Sequence, residues 1–197
     1  MPGEVERSLE ERLFYLDDQV VELESFESEG CILDIGGGGE GIIGILQQDQ
    51  VVAIDRSARE LEEAPAGPLK VVMDARQMAF HANSFQTASA FFSLMYIDER
   101  KSLLKVFDEV YRVLEPGGSF RIWDVCVRRR ETQKDLYVVP LKIRVRGQEI
   151  NTGYGMKWPE EDRDTVYYRD LSAQAGFRII HSSEQGLVMR MVLEKPL

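Results

Sequence analysis

The stretch Cys31-Ile32-Leu33-Asp34-Ile35-Gly36-Gly37-Gly38-Gly39-Glu40-Gly41-Ile42-Ile43-Gly44 constrains this chain more than any other. It opens on a short apolar run of the kind that forms a buried parallel strand. Four consecutive glycines follow, and Ile42, Ile43 and Leu46 then resume at helical spacing. A flexible linker is not flanked by strand-like and helix-like apolar runs. A strand, a turn whose backbone can approach a ligand, and a helix that aims its first amides at that turn form a cradle for a cofactor.

The spacing Gly36-x-Gly38-x-x-Gly41 also satisfies the dinucleotide fingerprint, and Asp55 follows at the distance of a ribose-binding acid. The motif therefore does not by itself separate a nicotinamide dinucleotide from other adenosyl cofactors. Charge bears on the choice. Between Cys31 and Asp55 stand four acids (Asp34, Glu40, Asp49 and Asp55) and no lysine or arginine. Glu40 falls in the first turn of a helix expected over Glu40 to Gln48, where it would repel a pyrophosphate. A cofactor with a cationic centre and no phosphate suits such a pocket, and S-adenosylmethionine, a sulfonium, fits that description. Some nicotinamide sites also lack a basic residue, so these residues leave both cofactors open.

The remaining composition sets outer bounds. A chain of 197 residues, 44% apolar and 29% charged, buries one substantial core. We expect a single domain over 1–197, with a helical segment within 1–29 and an insertion at about 127–158. No apolar run reaches membrane-spanning length, and Met1 to Glu11 reads as neither a signal nor a transit peptide. Cys31 and Cys126 sit in strand-like apolar runs and read as buried thiols of a reducing, cytoplasmic setting. With His81 and His181 they show no metal-ligand spacing, so no metal is expected. The net charge of −10 argues against nucleic acid or an anionic membrane as partner. Residues 1–30 carry ten acids against two arginines, whereas 121–146 carry eight basic residues against three acids.

Along the chain, Leu9, Leu13, Leu16, Val20 and Leu23 recur at steps of three and four, which predicts an amphipathic helix from Ser8 to about Glu24. Strands follow at Cys31 to Ile35, Gln50 to Asp55, Leu69 to Asp74, Thr87 to Leu94 and Ser119 to Val125. Helices lie between them, the clearest at Asp98 to Leu114, closed by a turn at Glu115-Pro116-Gly117-Gly118. This alternation implies right-handed crossovers and a doubly wound, mostly parallel α/β sheet. The rhythm then changes to an inserted β-hairpin after the fifth strand, Leu136 to Val145 and Ile150 to Trp158. Lys142, Arg144 and Arg146 share one face of it. A helix over Glu160 to Ala175 leads to a closing antiparallel pair, Phe177 to Ser182 and Leu187 to Glu194, which makes seven main strands.

Taken together, Leu33 to Gly41, Asp55 and Asp74-Ala75 at successive strand ends, Leu114 to Gly118, and the antiparallel closing hairpin resemble a class I S-adenosylmethionine-dependent methyltransferase. The likeness extends from Cys31 to Pro196 and is nearest the small-molecule type that includes the ubiquinone/menaquinone-biosynthesis methyltransferases. It implies a Rossmann-like seven-stranded fold and S-adenosylmethionine as cofactor. The cofactor residues it implies are Asp34, Gly36, Gly38, Asp55, Arg56, Asp74, Ala75, Phe92 and Ser93. Asp55 would accept from the ribose hydroxyls, Asp74 from the adenine amine while the Ala75 amide donates to the ring, and Asp34 would brace the loop or meet the amino group. Phe92 and Ser93 would lie beside the transferable methyl. The family often carries Cys or a larger residue where Gly37 stands, a change expected to alter loop stiffness.

No catalytic base stands out, and Tyr96, just past the fourth strand, is the expected substrate contact. Phe92-Ser93-Leu94-Met95 stands where DNA amine methyltransferases commonly carry Asn/Asp-Pro-Pro-Tyr/Phe, which speaks against that substrate. The expected activity is methyl transfer to a small molecule. A nicotinamide-dependent oxidoreductase and a non-catalytic binding protein of the same fold are the alternatives. The expected partners are a small-molecule substrate and a second copy of the chain, met through the inserted hairpin. That hairpin either caps the substrate site or is a solvated edge whose cations deter aggregation.

Overall fold

The computed structural model describes residues 8–130 and 132–197, so the part of the N-terminal reading that falls on residues 1–7 lies outside the described residues. In chain order the elements are α1 (Leu9–Arg12), β1 (Leu13–Tyr15), β2 (Gln19–Leu23), β3 (Ile32–Ile35), α2 (Ile42–Gln47), β4 (Val51–Asp55), α3 (Ala58–Glu63) and β5 (Leu69–Val72). They continue with β6 (Phe85–Phe91), α4 (Arg100–Val113), β7 (Leu114–Val125), β8 (Leu136–Val145), β9 (Gln148–Lys157), α5 (Thr165–Gln174), β10 (Arg178–Gln185) and β11 (Val188–Glu194).

The main sheet has seven strands in the order β10-β11-β7-β6-β3-β4-β5. It is parallel from β7 to β5, while β11 runs antiparallel to β7 and to β10. The order reverses at β3, so the cleft of an open α/β sheet falls at the C-terminal ends of β3 and its neighbours. One face, with Leu33, Val52, Ala88, Phe120 and Met191, packs on α4 and α5 residues such as Phe107, Val110 and Tyr168. The other face, with Ile32, Val51, Phe91 and Trp123, packs on α2 and on a second, smaller sheet.

That smaller sheet departs from expectation. A single N-terminal helix over Ser8 to Glu24 does not form. Ser8 caps a one-turn helix through a reciprocal bond with Glu11, and the chain then turns extended at Leu13. β1 and β2 lie end to end along one edge of β8, both parallel to it, and β9 runs antiparallel along the other edge. Val20, which the helical stripe counted as buried, is 50% exposed, whereas Val21 beside it is 5% exposed. A helix this short gains little from its own hydrogen bonds, and the unpaired edge of β8 offers the segment a full ladder.

β8 is accordingly an interior strand, not a solvated edge. Tyr137, Val139, Leu141, Ile143 and Val145 are buried, while Lys142 and Arg144 face outward and meet Glu149 across the β8–β9 ladder at 3.3 Å each. Glu115 to Gly118 lies within the run of β7, where pairing with β6 slips register and Gly117 takes φ +79°, and is not a separate turn. Cys31 is exposed and Cys126 half-buried, so the first is not the buried thiol expected. Glu40 precedes α2 and lies in the turn. No helix among the described residues is long and apolar enough to cross a membrane.

Candidate active site

The glycine turn follows β3 directly, and its backbone is held from two sides. Gly36 and Gly37 both donate to the Ile54 carbonyl of β4, at 2.8 and 3.1 Å, and Gly39 donates to Glu60 of α3 at 2.9 Å. Gly36 has φ +70°, and a Cβ there would fall 2.4 Å from Ser93 Cβ. A Cβ at Gly38 would fall 2.5 Å from Glu60 Cβ and 3.0 Å from Asp55 Oδ2. Real Cβ atoms do not approach so closely, so the turn must be glycine for its backbone to line a cleft. Gly37 is equally constrained, since a Cβ would meet Asp34 Oδ2 at 2.6 Å and Ala53 Cβ at 2.8 Å. In this chain the position is fixed by packing as well as by loop stiffness.

The cleft measures about 930 Å³, and its lining includes every residue the sequence singled out: Asp34, Gly36, Gly38, Asp55, Arg56, Asp74, Ala75, Phe92, Ser93 and Tyr96. Asp34 is 2% exposed beneath the turn and accepts from the Ser89 hydroxyl at 2.8 Å. Burial pushes its carboxyl up to about 7 against that hydrogen bond, with Asp55 adding to the rise. Asp55 accepts from the Ser57 amide at 2.9 Å through Oδ1, and its Oδ2 lies toward Gly38.

Asp74 is more committed than the sequence suggests. Arg76 grips both carboxylate oxygens at 2.6–3.1 Å, and Arg56 Nε stands 3.9 Å away. The Arg76 hydrogen bonds hold this carboxyl down at about 2. Phe92, just past β6, takes φ +47°, a conformation costly for an aromatic residue that is kept where surroundings over-determine it. Its amide donates to Trp123 at 2.8 Å, and the Ser93 hydroxyl donates to the Ile35 carbonyl at 2.5 Å. Tyr96 is 46% exposed on a 3-10 turn at Leu94–Tyr96. Burial and the charge of Glu40 push its phenol up to about 12, so it is a proton donor at neutral pH.

A cap by the inserted hairpin was one of the expectations, but the residues that make it were not foreseen. Gly153 and Tyr154 of β9 line the cleft, and the Tyr154 hydroxyl donates to Glu40 Oε2 at 2.9 Å while Thr152 donates to Oε1. An aromatic residue between two glycines in a strand, Gly153-Tyr154-Gly155, is the available signal for such a close approach. Also missed was Arg163, 6% exposed, which reaches from the loop before α5 to the carbonyls of Met95, Ile97 and Asp98 and so holds the turn that bears Tyr96. No group of three or more potential metal ligands occurs among the described residues.

A glycine turn at the switch point, with carboxylates at the next two strand ends and an antiparallel strand closing the sheet, is the arrangement of the class I S-adenosylmethionine-dependent methyltransferase fold. Residues 33–122 match the family described as methyltransferase domain. Among solved structures it is similar to an S-adenosylmethionine-dependent methyltransferase of Methanosarcina mazei, with TM-score 0.62, 18% identity, and coverage of 87% of this chain and 95% of that one. A methyltransferase of Mesorhizobium loti superposes with TM-score 0.62 at 16% identity, covering 86% and 93%. The sequence is 28% identical over 172 residues to the ubiquinone/menaquinone biosynthesis C-methyltransferase of Desulfotalea psychrophila, covering 77% of this chain and 67% of that protein. It is 38% identical over 65 residues to sterol 4-C-methyltransferase of Caenorhabditis elegans, covering 33% of this chain and only 18% of that protein.

Proposed function

We propose that this protein transfers the methyl group of S-adenosylmethionine to a small-molecule acceptor bound in the cleft under β9. The observation that carries the reading is the convergence, in one cleft, of a glycine turn that admits no Cβ, two strand-end carboxylates and an aromatic roof. The residues fit the cofactor. Asp55 offers Oδ2 to ribose hydroxyls, Asp74 with Ala75 stands at the adenine end, and Gly36 and Gly38 leave room for the methionine portion. Charge-assisted hydrogen bonds of this kind contribute about 1.5–3 kcal/mol each. Asp34, buried beneath the turn, braces it and stands ready to ionise beside an ammonium. S-adenosylmethionine supplies an electrophilic methyl on a sulfonium, which places the burden on positioning and desolvation.

Phe92, Ser93, Tyr96 and Tyr154 wall the end of the cleft away from Asp74, and Tyr96 is the acceptor contact. The names of both sequence relatives denote transfer to carbon, but their own acceptors do not fix the one used here. Glu40, standing in the turn with no cation on it among the described residues, disfavours a pyrophosphate and with it the nicotinamide reading. We further read the chain as one domain. The sparse use of cysteine, two in 197 residues, supports a reducing, cytoplasmic setting. A homodimer through the inserted hairpin would use the outer face of the small sheet, and sedimentation across a concentration series tests it. Titration calorimetry with S-adenosylmethionine, S-adenosylhomocysteine and NADH tests the cofactor. Micromolar binding of the first two is expected, and binding of NADH alone overturns the reading.

A further inference from the structure

The cleft has two electrostatically distinct ends. At one, Arg56 and Arg76 gather around Asp74. At the other, under β9, no lysine or arginine among the described residues lines the wall. What stands there is Glu40, whose two oxygens accept from the hydroxyls of Thr152 and Tyr154. The Tyr154 ring lies 5.7 Å from that of Phe92, and Tyr96 borders the same space. Glu60 adds a second carboxylate, which would lie 3.3 Å from a Cβ on Gly39. A carboxylate held by neutral hydroxyls against aromatic faces presents its charge to a cation that the protein does not supply.

Resting on the assignment of this cleft to S-adenosylmethionine, we propose that the end under β9 binds the methyl acceptor through an uncharged nitrogen that becomes a cation on methylation, and that Glu40 selects it. The sulfonium alone does not account for Glu40. Its charge falls during transfer, so a carboxylate serving only the sulfonium stabilises the reactants more than the transition state. With a neutral nitrogen acceptor the lone pair bonds to the methyl carbon as the carbon–sulfur bond breaks. That bond's electron pair stays on sulfur, and the positive charge passes to nitrogen. Glu40 and the rings of Tyr154 and Tyr96 then face a cation throughout. An anionic acceptor, by contrast, meets two carboxylates and, among the described residues, no cation. Lys142, Arg144 and Arg146 do not help it, because Lys142 and Arg144 stand on the outer face paired with Glu149 and none of the three lines the cleft.

The test uses the full chain saturated with S-adenosylhomocysteine at pH 7.5, with 1-methylquinolinium as the product-like cation and 1-naphthoate as its anionic counterpart. Binding is read by NMR titration. The expected result is that 1-methylquinolinium binds about tenfold or more tightly than 1-naphthoate. Glu40→Gln should remove that preference while S-adenosylhomocysteine affinity stays within about threefold of wild type. Tyr154→Leu, which leaves the carboxylate but removes a ring face, should weaken the cation alone. Equal or tighter binding of 1-naphthoate, no binding of the cation at millimolar concentration, or an unchanged preference in Glu40→Gln overturns the proposal. Methyl transfer to quinoline with none to phenols or carboxylates supports it, and transfer to a phenol ring carbon with none to nitrogen overturns it. If the wild type fails to bind S-adenosylhomocysteine in calorimetry, the cofactor assignment falls. If it binds and the cation does not, only the acceptor assignment falls.

Discussion

Asp55 and Asp74 end successive strands of one sheet, yet the structure gives them unlike surroundings. Asp55 keeps one oxygen on the Ser57 amide and turns the other to the glycine turn. Asp55→Ala should therefore weaken S-adenosylhomocysteine by about tenfold or more while leaving the circular dichroism spectrum and thermal midpoint near wild type. Unchanged affinity in calorimetry removes Asp55 from the site. Asp74 already holds Arg76 through both oxygens, and with its carboxyl held at about 2 it stays ionised at any working pH. Asp74→Asn retains an acceptor for an exocyclic amine and should cost less cofactor affinity than Asp74→Ala. Equal losses would assign the residue to orienting Arg76 through its charge. Spacing at strand ends made both acids legible in the sequence. The claim of Arg76 on one of them was not, because it depends on how the chain turns after β5.

At the level of elements, the glycine turn and the inserted sheet meet through Glu40. Gly36→Ala places a Cβ 2.4 Å from Ser93 Cβ in a backbone at φ +70°, so it should abolish cofactor binding and lower stability by about 1–3 kcal/mol, read as a shifted urea midpoint. The outer face of β8 should behave differently. Replacing Lys142, Arg144 and Arg146 together by Ser should leave S-adenosylmethionine affinity and thermal stability near wild type, since exposed ion pairs with Glu149 contribute little. A changed sedimentation coefficient in this variant would support the hairpin as a dimer contact, and an unchanged one in a monomeric wild type would withdraw it. The hairpin itself was readable from alternation and a Gly147 turn. The sequence left open whether it caps the cleft or forms a solvated edge, and did not name the capping residues, because the contacts from Thr152 and Tyr154 to Glu40 span 112 and 114 residues.

For the molecule as a whole, two fully buried carboxyls set the pH response. Asp34 and Asp124 are both raised to about 7, chiefly by burial, and Asp124 is hydrogen-bonded to the Val125 amide, near Tyr168 and Arg163. A carboxyl raised in the folded state binds a proton that the unfolded chain has already released, so between about pH 4 and 7 these groups make stability fall as pH rises. Asp74, held low, acts oppositely, and its contribution is lost only in acid below about pH 4. Urea midpoints should therefore be higher near pH 5 than near pH 8, and Asp124→Asn should flatten that slope. A midpoint that rises steadily from pH 5 to pH 8 contradicts this account.

The order of strands and helices from Cys31 onward, the glycine cradle and its acids were set locally. Periodicity, turn chemistry and residue spacing act over a few positions, and each is visible in the chain as written. The tertiary structure alone decided the conformation of Leu13 to Leu23, where a helical stripe yielded to the vacant edge of β8 more than a hundred residues away. It alone decided that Arg163 holds the Tyr96 turn and that β9 roofs the cleft. Those outcomes rest on which unsatisfied edge or carbonyl finds which donor across the fold, and that competition is settled only when the whole chain has packed.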